Sequence, residues 1–409
     1  MSRSSKKPLR TNRPAGHALQ VFALTLVAIS LVALACTDQA AETGDTTPEP
    51  AGMTGTTDTE AAEGPTIVVA EGALSPIVIT EEVKYDTDDP AIWIHPTDPS
   101  QSLIVGTDKN PEDGALYVFD LDGKVLPEKT VHPLLRVNNV DIEYGLMLGG
   151  ELVDIAVCTE RGANKIRVYS LPDMKEIDNG GIDVFTDQEE RRPMGISLYK
   201  RQSDGTIYAI VGRKSGPSEG YLWQYKLEDD GNGNVIGVKV REFGAYSGLN
   251  EIEAIAVDDP LGYVYYSDEG IGVRKYHADP DAEGAGEELA IFANVFGPEG
   301  FTRDNEGISI YQINDGTGYI LVSDQHADRF RIYKREGEAD DPHKHLFVKS
   351  VPVRTHESDG SEITSVVVNE NFPTGLFVAM SDNRTFHYYS WDDIAGDDLV
   401  KAPNGEVMP

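Results

Sequence analysis

The sequence predicts an all-β fold, a six-bladed β-propeller whose last blade is closed by an N-terminal strand. A short phrase, an acid or amide followed by alternating apolar residues, recurs six times at intervals of about 50 residues. Short strand patterns fill the intervals, and no amphipathic helix longer than two turns is predicted. The phrase occurs at 88–93, 139–142, 194–198, 253–257, 306–310 and 362–366, and the third copy lacks the leading acid. Such a repeat built from short strands is typical of propellers.

Each copy of the phrase is followed by the other strands of one blade. In the first unit these are 103–106 and 116–119, after which Asp122-Gly123 predicts a hairpin turn. The strands of the later units are predicted at 154–158, 166–169, 182–185, 207–211, 221–225, 238–240, 263–266, 273–276, 289–292, 319–322, 330–333, 346–348, 376–379 and 386–389. The sixth unit has no last strand, whereas 66–69 is an early strand without a blade. Because a propeller must close its ring, we expect this N-terminal strand to complete the final blade.

Acidic residues lie where the chain enters or leaves the predicted inner strands. They occur at Asp304-Asn305-Glu306, Glu251-Ile252-Glu253, Ser267-Asp268-Glu269, Asp141 and Glu362. Equivalent positions of successive blades converge on the propeller axis, where several carboxylates cannot all stay ionised without compensation. Oxygen ligands without His or Cys among them point to calcium. The alternative is that these side chains cap loop amides and fix the geometry between blades.

The N-terminal residues 1–35 are predicted to be a lipoprotein signal peptide. A basic leader without acids precedes an apolar run, and Ala33-Leu34-Ala35-Cys36 resembles a lipobox. We expect Cys36 to be acylated and to anchor an exported protein in the cell envelope, at the outer membrane or cell surface. Release of the protein into the extracellular medium is a second possible outcome. The alternative to a cleaved signal peptide is an uncleaved membrane anchor. Residues 36–65 are predicted to be a disordered tether, 66–396 the propeller and 397–409 a C-terminal tail.

The charge of the chain excludes one class of partner. With 35 Lys and Arg against 69 Asp and Glu, the formal net charge is −34, which excludes nucleic acid as a natural partner. A protein this acidic needs metal ions as intermediaries if it acts on an anionic substrate. The sequence contains no G-x-S-x-G elbow, H-E-x-x-H motif or P-loop. The other cysteine, Cys158, lies in a strand pattern and is predicted to be a buried strand residue.

Two of the repeated phrases resemble the hallmark motifs of the bacterial β-propeller phytases. These are Asp88-Asp89-Pro90-Ala91-Ile92-Trp93 and Asn138-Asn139-Val140-Asp141-Ile142. Asp304-Asn305-Glu306-Gly307 and Glu253 resemble later metal-binding stretches of that family, and the similarity runs from about Ile67 to Ile394. The resemblance implies a six-bladed, calcium-dependent phosphomonoesterase that acts on phytate (myo-inositol hexakisphosphate) or related inositol phosphates, and we expect a monomer.

The resemblance also implies roles for individual residues. Catalytic calcium ions would be held by Glu253, Glu269, Asp304, Glu306 and Asp88, and a structural calcium by Asp89 and Val140; Asp268 and Glu362 complete the predicted metal-binding set. Predicted substrate contacts are Lys109, Arg161, Arg191 and Lys214. The chain departs from the family at Glu143, where arginine is common, at Asn110, which replaces a lysine, and at Met194, which replaces a tyrosine.

The predicted mechanism is attack on phosphorus by a metal-activated water, with no covalent enzyme intermediate. Two alternatives belong to other functional classes. One is a non-catalytic, calcium-stabilised surface propeller for binding, and phosphate release from phytate with and without calcium separates it from the enzyme. The other is a metal-dependent lactonase, which a lactone-hydrolysis assay would reveal.

Overall fold

Six antiparallel sheets follow one another along the chain in the computed structural model, which describes residues 69–298, 300–302 and 304–403. Each sheet is one blade of a six-bladed β-propeller, which confirms the predicted fold class. Within a blade, the strands pair in chain order from the innermost to the outermost, except that the outermost strand of the last blade comes from the N-terminal side. Within this part of the chain, no helix is long and apolar enough to cross a membrane.

The blades have the following strands, given from the innermost outwards. Blade 1 contains Thr87–Trp93, Leu103–Asp108, Gly114–Phe119 and Val131–Leu134; blade 2 contains Val137–Leu148, Glu151–Glu160, Lys165–Ser170 and Ile182–Asp183, with Lys175–Glu176 also paired to the third strand. Blade 3 contains Pro193–Lys200, Ile207–Arg213, Glu219–Asp229 and Val235–Ala245; blade 4 contains Ile255–Asp258, Tyr263–Asp268, Gly272–His277 and Ala290–Phe292. Blade 5 contains Asn305–Gln312, Gly318–Asp324, Arg329–Lys334 and Phe347–Pro352; blade 6 contains Ser361–Thr364, Leu376–Ser381, Thr385–Ser390 and Val78–Ile79.

Helical structure is confined to short segments. These are the 3₁₀ turns Pro99–Gln101, Arg161–Ala163 and Gln325–Ala327 and the α-helix Trp391–Ala395. The helix is anchored by Trp391, whose ring stacks on that of Tyr311 with 3.9 Å between centroids. Leu399 and Ala402, in the predicted tail, are buried against the same region.

The hydrophobic core is divided among the gaps between neighbouring blades. Second strands such as Leu103–Asp108 and Leu376–Ser381 are buried along their whole length, because both faces of a blade pack against its neighbours. This double burial explains why these strands appear in the sequence as continuous apolar runs. Six clusters of buried apolar side chains fill the six gaps among the described residues. The axis is left to the innermost strands, whose polar and apolar side chains both line it.

The ring closes through an N-terminal strand, as predicted, although the strand lies further along the chain than expected. Val78–Ile79 pairs antiparallel with Thr385–Ser390, placing Val78 opposite Tyr388 and Ile79 opposite His387. The predicted segment was 66–69; residues 66–68 lie outside the described residues, and Val69 is not in a strand. The chain first forms a bridge from Leu74 to Val353 of blade 5. A closing strand of two residues is too short to give a periodic signal, so the longer apolar run at 66–69 was the stronger pattern.

Candidate functional site

The acids of the repeated phrase are placed by β-bulges. In blades 1, 2, 3 and 5, the innermost strand shifts register near its start, between Thr87 and Pro90, Val137 and Val140, Pro193 and Ile196, and Asn305 and Ile308. A bulge inserts an extra residue and redirects the neighbouring side chains. The leading residues of the phrase lie within these bulges, so their side chains gather at the end of the propeller where the innermost strands begin.

Close approaches between neighbouring blades identify the equivalent positions in this ring. A Cβ atom on Gly195 would clash with Glu253 O, one on Gly307 would lie 2.7 Å from Asp359 O, and one on Gly360 would lie 2.7 Å from Asp88 O. The glycines are therefore required for the blades to approach. The ring positions are occupied by Asp88, Asn138, Met194, Glu253, Glu306 and Asp359. In blade 6 this position is Asp359, which the sequence analysis did not select, whereas Glu362 lies deeper along the axis.

Three glutamates converge at this end of the propeller. Oxygen atoms of Glu253, Glu269 and Glu306 all lie within 4.8 Å of one another. Glu269 directly follows the second strand of blade 4, and Glu306 lies in the bulge of blade 5. Glu306 is 7% exposed, and its Oε2 atom is buried without a hydrogen-bond partner. A buried carboxylate oxygen with no donor is costly unless a cation neutralises it, so these residues fit a metal ion.

The protonation equilibria of these glutamates agree with the geometry. Burial raises the pKa of Glu253 and of Glu306 well above the ordinary value, and the charges of neighbouring carboxylates raise both further. Burial and the charge of Asp304 raise the pKa of Glu269 to about 8. At neutral pH the group must therefore hold protons or bind a cation. We call Asp88, Glu253, Glu269, Asp304, Glu306 and Asp359 the carboxylate cluster.

Lys109 and Asn138 join the carboxylates of different blades. Lys109 Nζ donates to Asp88 Oδ1 (2.6 Å) and to Asp359 Oδ2 (3.0 Å). Burial alone would lower the pKa of Lys109, but the charges of Asp88 and Asp359 raise it overall. Asn138 Nδ2 donates to Asp88 Oδ2 (3.1 Å) and Glu253 Oε1 (3.0 Å). Lys109, a predicted substrate contact, is thus held between two carboxylates, and Asn138 orients two members of the cluster.

Asp304 approaches the cluster from the loop before blade 5. Its Oδ1 accepts a hydrogen bond from Asn250 Nδ2 (2.9 Å), and His326 Nε2 lies 3.0 Å from its Oδ2. The other ring nitrogen of His326 lies 3.1 Å from Glu357 Oε1. No sequence pattern marks His326, because its contact with Asp304 depends on how the 3₁₀ turn Gln325–Ala327 lies against the loop.

Asp268 lies apart from the convergent glutamates. Its Oδ1 accepts from Ser247 Oγ (2.6 Å), and its Oδ2 forms an ion pair with Arg274 Nε (2.8 Å). The side chain is fully buried. In this position Asp268 ties the loop before blade 4 to the third strand of that blade.

Basic side chains border the carboxylate cluster on one side. A cleft of about 520 Å³ is lined by residues that include Arg192, Lys214, Glu251, Glu269 and Asp304. Lys214 pairs with Glu251, and Arg192 Nη2 pairs with Glu190 Oε2 at 2.5 Å. Arg161, at the start of a 3₁₀ turn, is 7% exposed. A cationic wall beside a carboxylate cluster suits an anion that bridges to a metal.

Arg191 and Arg192 point in different directions. Arg191 Nε donates to Val184 O (3.1 Å), and its Nη2 lies 3.2 Å from Asp183 Oδ1. Arg192, the next residue, lines the cleft instead. The substrate contact at Arg191 stays a prediction from the sequence, and Arg192 is the arginine that lines the cleft.

A second polar cavity lies along the axis. It has a volume of about 410 Å³, and its lining includes Asp89, Val140 and Glu362. Asp89 Oδ2 accepts from the Val140 N–H (3.1 Å). Burial raises the pKa of Asp89 well above its ordinary value and, together with the charge of Asp141, raises that of Glu362 to about 8. The structure thus brings the residues of the predicted structural calcium site to one cavity.

Glu143, which stands where the resembling family has arginine, faces a second carboxyl group in the same cavity. Its side chain is hydrogen-bonded to that of Asp259, so the two share a proton. Burial is the main reason that the pKa of Glu143 rises to about 7. Lys200 donates its backbone N–H to Asp259 Oδ1 (3.0 Å) and its ammonium group to Tyr144 O (2.7 Å). The ammonium group thus bonds a carbonyl oxygen, and its charge opposes the rise in the pKa of Glu143 without cancelling it.

We expect Glu143→Gln to make stability less sensitive to pH. A carboxyl group whose pKa is raised in the folded state contributes stability that is fully present below about pH 4.5 and is lost as pH rises through about 7. At pH 8 the loss amounts to at most about 3 kcal/mol. Gln does not titrate and can hydrogen-bond Asp259 in either protonation state, so the variant should melt several degrees higher than the wild type at pH 8 and nearly equally at pH 4.5. Equal shifts at both pH values in thermal unfolding would contradict the shared proton. Glu228→Gln, a change at a half-exposed glutamate, is the control.

Two comparisons with known proteins match most of this chain. A family model described as phytase matches residues 19–402, a range that includes all six blades. The chain is also similar to a protein named 3-phytase from Bacillus subtilis (strain 168). The two are 32% identical over 332 residues, which cover 75% of this chain and 80% of that protein.

Proposed function

The chain belongs to the phytase family and is a phytate-hydrolysing phosphoric monoester hydrolase, and from this premise we propose that calcium ions in the carboxylate cluster support the hydrolysis. The observation that carries the proposal is the convergence of Glu253, Glu269 and Glu306 with an unpartnered, buried oxygen on Glu306. The side-chain oxygens around these glutamates come from carboxylates and amides, and the Lys109 ammonium lies among them. Such hard oxygen donors suit calcium better than softer metals.

The residues that would hold the catalytic calcium are Asp88, Glu253, Glu269, Asp304 and Glu306. Bound there, calcium would neutralise phosphate oxygens and lower the pKa of a water that attacks phosphorus in line. Asn138 would keep Asp88 and Glu253 oriented. The ammonium group of Lys109 reduces the repulsion between Asp88 and Asp359 and so limits the number of cations needed.

Arg161 and Lys214 would bind a phosphate group next to the one that is cleaved. Arg161 is nearly buried beside the cluster, and Lys214 lines the cleft. Binding of a second phosphate orients the substrate, so that the phosphorus atom to be attacked is held in the correct position. No covalent intermediate is needed, which agrees with the absence of a recognised nucleophile motif from the sequence.

Phosphate release from phytate, measured with calcium and with excess chelator, tests this proposal. We expect steady release in millimolar calcium and loss of nearly all of it in chelator, with recovery when calcium is restored. Magnesium is the matched control, because its preference for regular octahedral geometry makes it a poor substitute. Release that persists in chelator would contradict the role of calcium. No release under any condition would favour a non-catalytic, calcium-stabilised propeller.

Two further parts of the proposal lie outside this cluster. Asp89, Val140 and Glu362 would hold a structural calcium in the axial cavity, where the buried carboxylates of Asp89 and Glu362 need compensation. Anchorage through a lipid on Cys36 remains a prediction from the sequence, because residues 1–68 lie outside the described residues. Incorporation of a fatty-acid analogue that persisted in Cys36→Ser would contradict it.

A further inference from the structure

The 3₁₀ turn Gln325–Ala327 of blade 5 contacts two members of the carboxylate cluster that belong to different blades. His326 Nε2 lies 3.0 Å from Oδ2 of Asp304, which directly precedes the innermost strand of blade 5. The preceding residue, Gln325, donates from Nε2 to Asp359 Oδ1 (2.5 Å), in the segment 353–360 that leads into blade 6. Two consecutive side chains of one turn therefore set the spacing between Asp304 and Asp359.

Further contacts fix this turn against the segment 353–360. The Nδ1 atom of His326 lies 3.1 Å from Glu357 Oε1. Asp328 Oδ1, just after the turn, accepts from the Glu357 N–H (3.0 Å) and lies 3.0 Å from His356 Nδ1. Asp328 and Glu357 have φ values of +47° and +48°, in the left-handed region that residues other than glycine rarely occupy. Such conformations persist where the surrounding contacts fix them, so the turn and the segment are held in one arrangement.

His326 is the side chain through which this arrangement reaches Asp304. One nitrogen of its ring faces a carboxylate of the cluster, and the other faces Glu357, whose side chain is 37% exposed. The negative charge of Asp304 raises the pKa of Glu269, which means that the two carboxylates repel each other. His326 therefore holds Asp304 beside the glutamates against this repulsion.

We propose that His326 is a positioning residue, which holds Asp304 beside the convergent glutamates and thereby strengthens calcium binding at the carboxylate cluster. The proposal rests on the proposed function and deepens it by naming a residue that sets the metal affinity of the same site. Each carboxylate oxygen has two lone pairs, so Asp304 can bind a cation while it keeps its contact with His326. Loss of this contact should weaken calcium binding and leave the chemical step nearly unchanged once calcium is bound.

Calcium titrations of three variants test the proposal. His326→Gln has an amide nitrogen that can take the place of Nε2 and contact Asp304, whereas the shorter His326→Asn can replace only Nδ1 and contact Glu357. His326→Ala and His326→Asn should raise the calcium concentration for half-maximal phosphate release about tenfold or more, because partners of metal-binding carboxylates affect affinity to that extent. At saturating calcium, kcat should stay within about twofold of the wild type. His326→Gln should restore most of the affinity.

A change of calcium affinity distinguishes positioning from a general loss of stability. A purely structural role would lower the melting temperature without changing the calcium requirement. His277→Ala is the matched control, since His277 is also half-buried but ends the third strand of blade 4, at the opposite end of the propeller. This control should keep the calcium requirement of the wild type. An unchanged requirement in His326→Ala, or equal requirements in the Asn and Gln variants, would overturn the proposal.

Direct calcium binding separates this inference from the proposed function. Calorimetric titration of the metal-free full chain with calcium alone should show binding about tenfold weaker in His326→Asn than in His326→Gln. Suppose that the wild type released no phosphate from phytate but the variants bound calcium in this order. The catalytic proposal would then fail, and the role of His326 would stand. If phosphate release depended on calcium and both variants bound calcium equally, the role of His326 would be refuted alone.

Discussion

Glu306→Gln is expected to lower kcat for phytate, at saturating calcium, by about a hundredfold or more. Glu306 lies among the convergent oxygens of the carboxylate cluster, and one of its own oxygens has no hydrogen-bond partner. Gln keeps the size of the side chain but removes the charge that would hold a cation. Since a metal at this place would stabilise charge that develops on the transferring phosphoryl group, the loss should appear in kcat more than in KM.

The fold should survive this change, because the backbone contacts of Glu306 do not depend on its charge. Its carbonyl accepts from Ser267 Oγ (2.7 Å), and Gly307 beside it keeps the approach to blade 6. Glu228→Gln is the control, since Glu228 is a half-exposed glutamate paired with Lys226. Phosphate release and circular dichroism on both variants give the comparison. A Glu306→Gln protein that retained near wild-type kcat would refute the catalytic role of the cluster.

The sequence was sufficient to predict the end of the propeller at which the site lies. The period of the repeated phrase predicts six blades. Glu253 and Glu306 are the first residues of two copies of the phrase, so the predicted fold brings their side chains together. The exact position of the strand that closes the ring could not be predicted, because Val78–Ile79 is only two residues long and too short to show a periodic pattern. Register across the N-terminal junction is decided by pairing with a strand more than 300 residues away.

The finer arrangement of the site depends on contacts that a linear pattern does not contain. Asp359 was not selected, because Glu362 also precedes an apolar run and fitted the phrase. A usable signal existed, since Asp359-Gly360 repeats the acid-glycine pair of Glu306-Gly307. Lys109 was predicted to contact substrate, and its burial between Asp88 and Asp359 arises where the first and last blades meet. That meeting joins residues 250 positions apart in the chain.

Removal of calcium is expected to lower the melting temperature sharply, by on the order of 10 °C. An ion that binds only the folded state stabilises it by about 2.7 kcal/mol when its concentration is 100 times its dissociation constant. We propose such binding in the cluster and in the axial cavity. For a protein of this size, each kcal/mol corresponds to roughly 2 °C. Thermal unfolding in millimolar calcium and in excess chelator measures the shift. Coincident curves would contradict calcium binding at both places.

The drop in melting temperature on chelation should become larger as pH rises, because the clustered carboxylates have raised pKa values. Without metal, the raised pKa values of Glu253, Glu269 and Glu306 mean that stability is fully present below about pH 4.5 and is lost as pH rises through about 8, the value for Glu269. The chelated protein should therefore melt lower at pH 8.5 than at pH 5.5, whereas the calcium-loaded protein should not, because metal binding replaces the protons.

Glu306→Gln gives this prediction an internal check. In calcium the variant should melt below the wild type, since it holds the ion less tightly. In chelator at pH 8.5 it should melt above the wild type, because one carboxylate has been removed from a repelling group. A single substitution that destabilises the loaded protein and stabilises the metal-free protein cannot be explained by damaged packing, which would lower both melting temperatures. If Glu306→Gln lowered both, Glu306 would be a packing residue and the cluster would not be the calcium site.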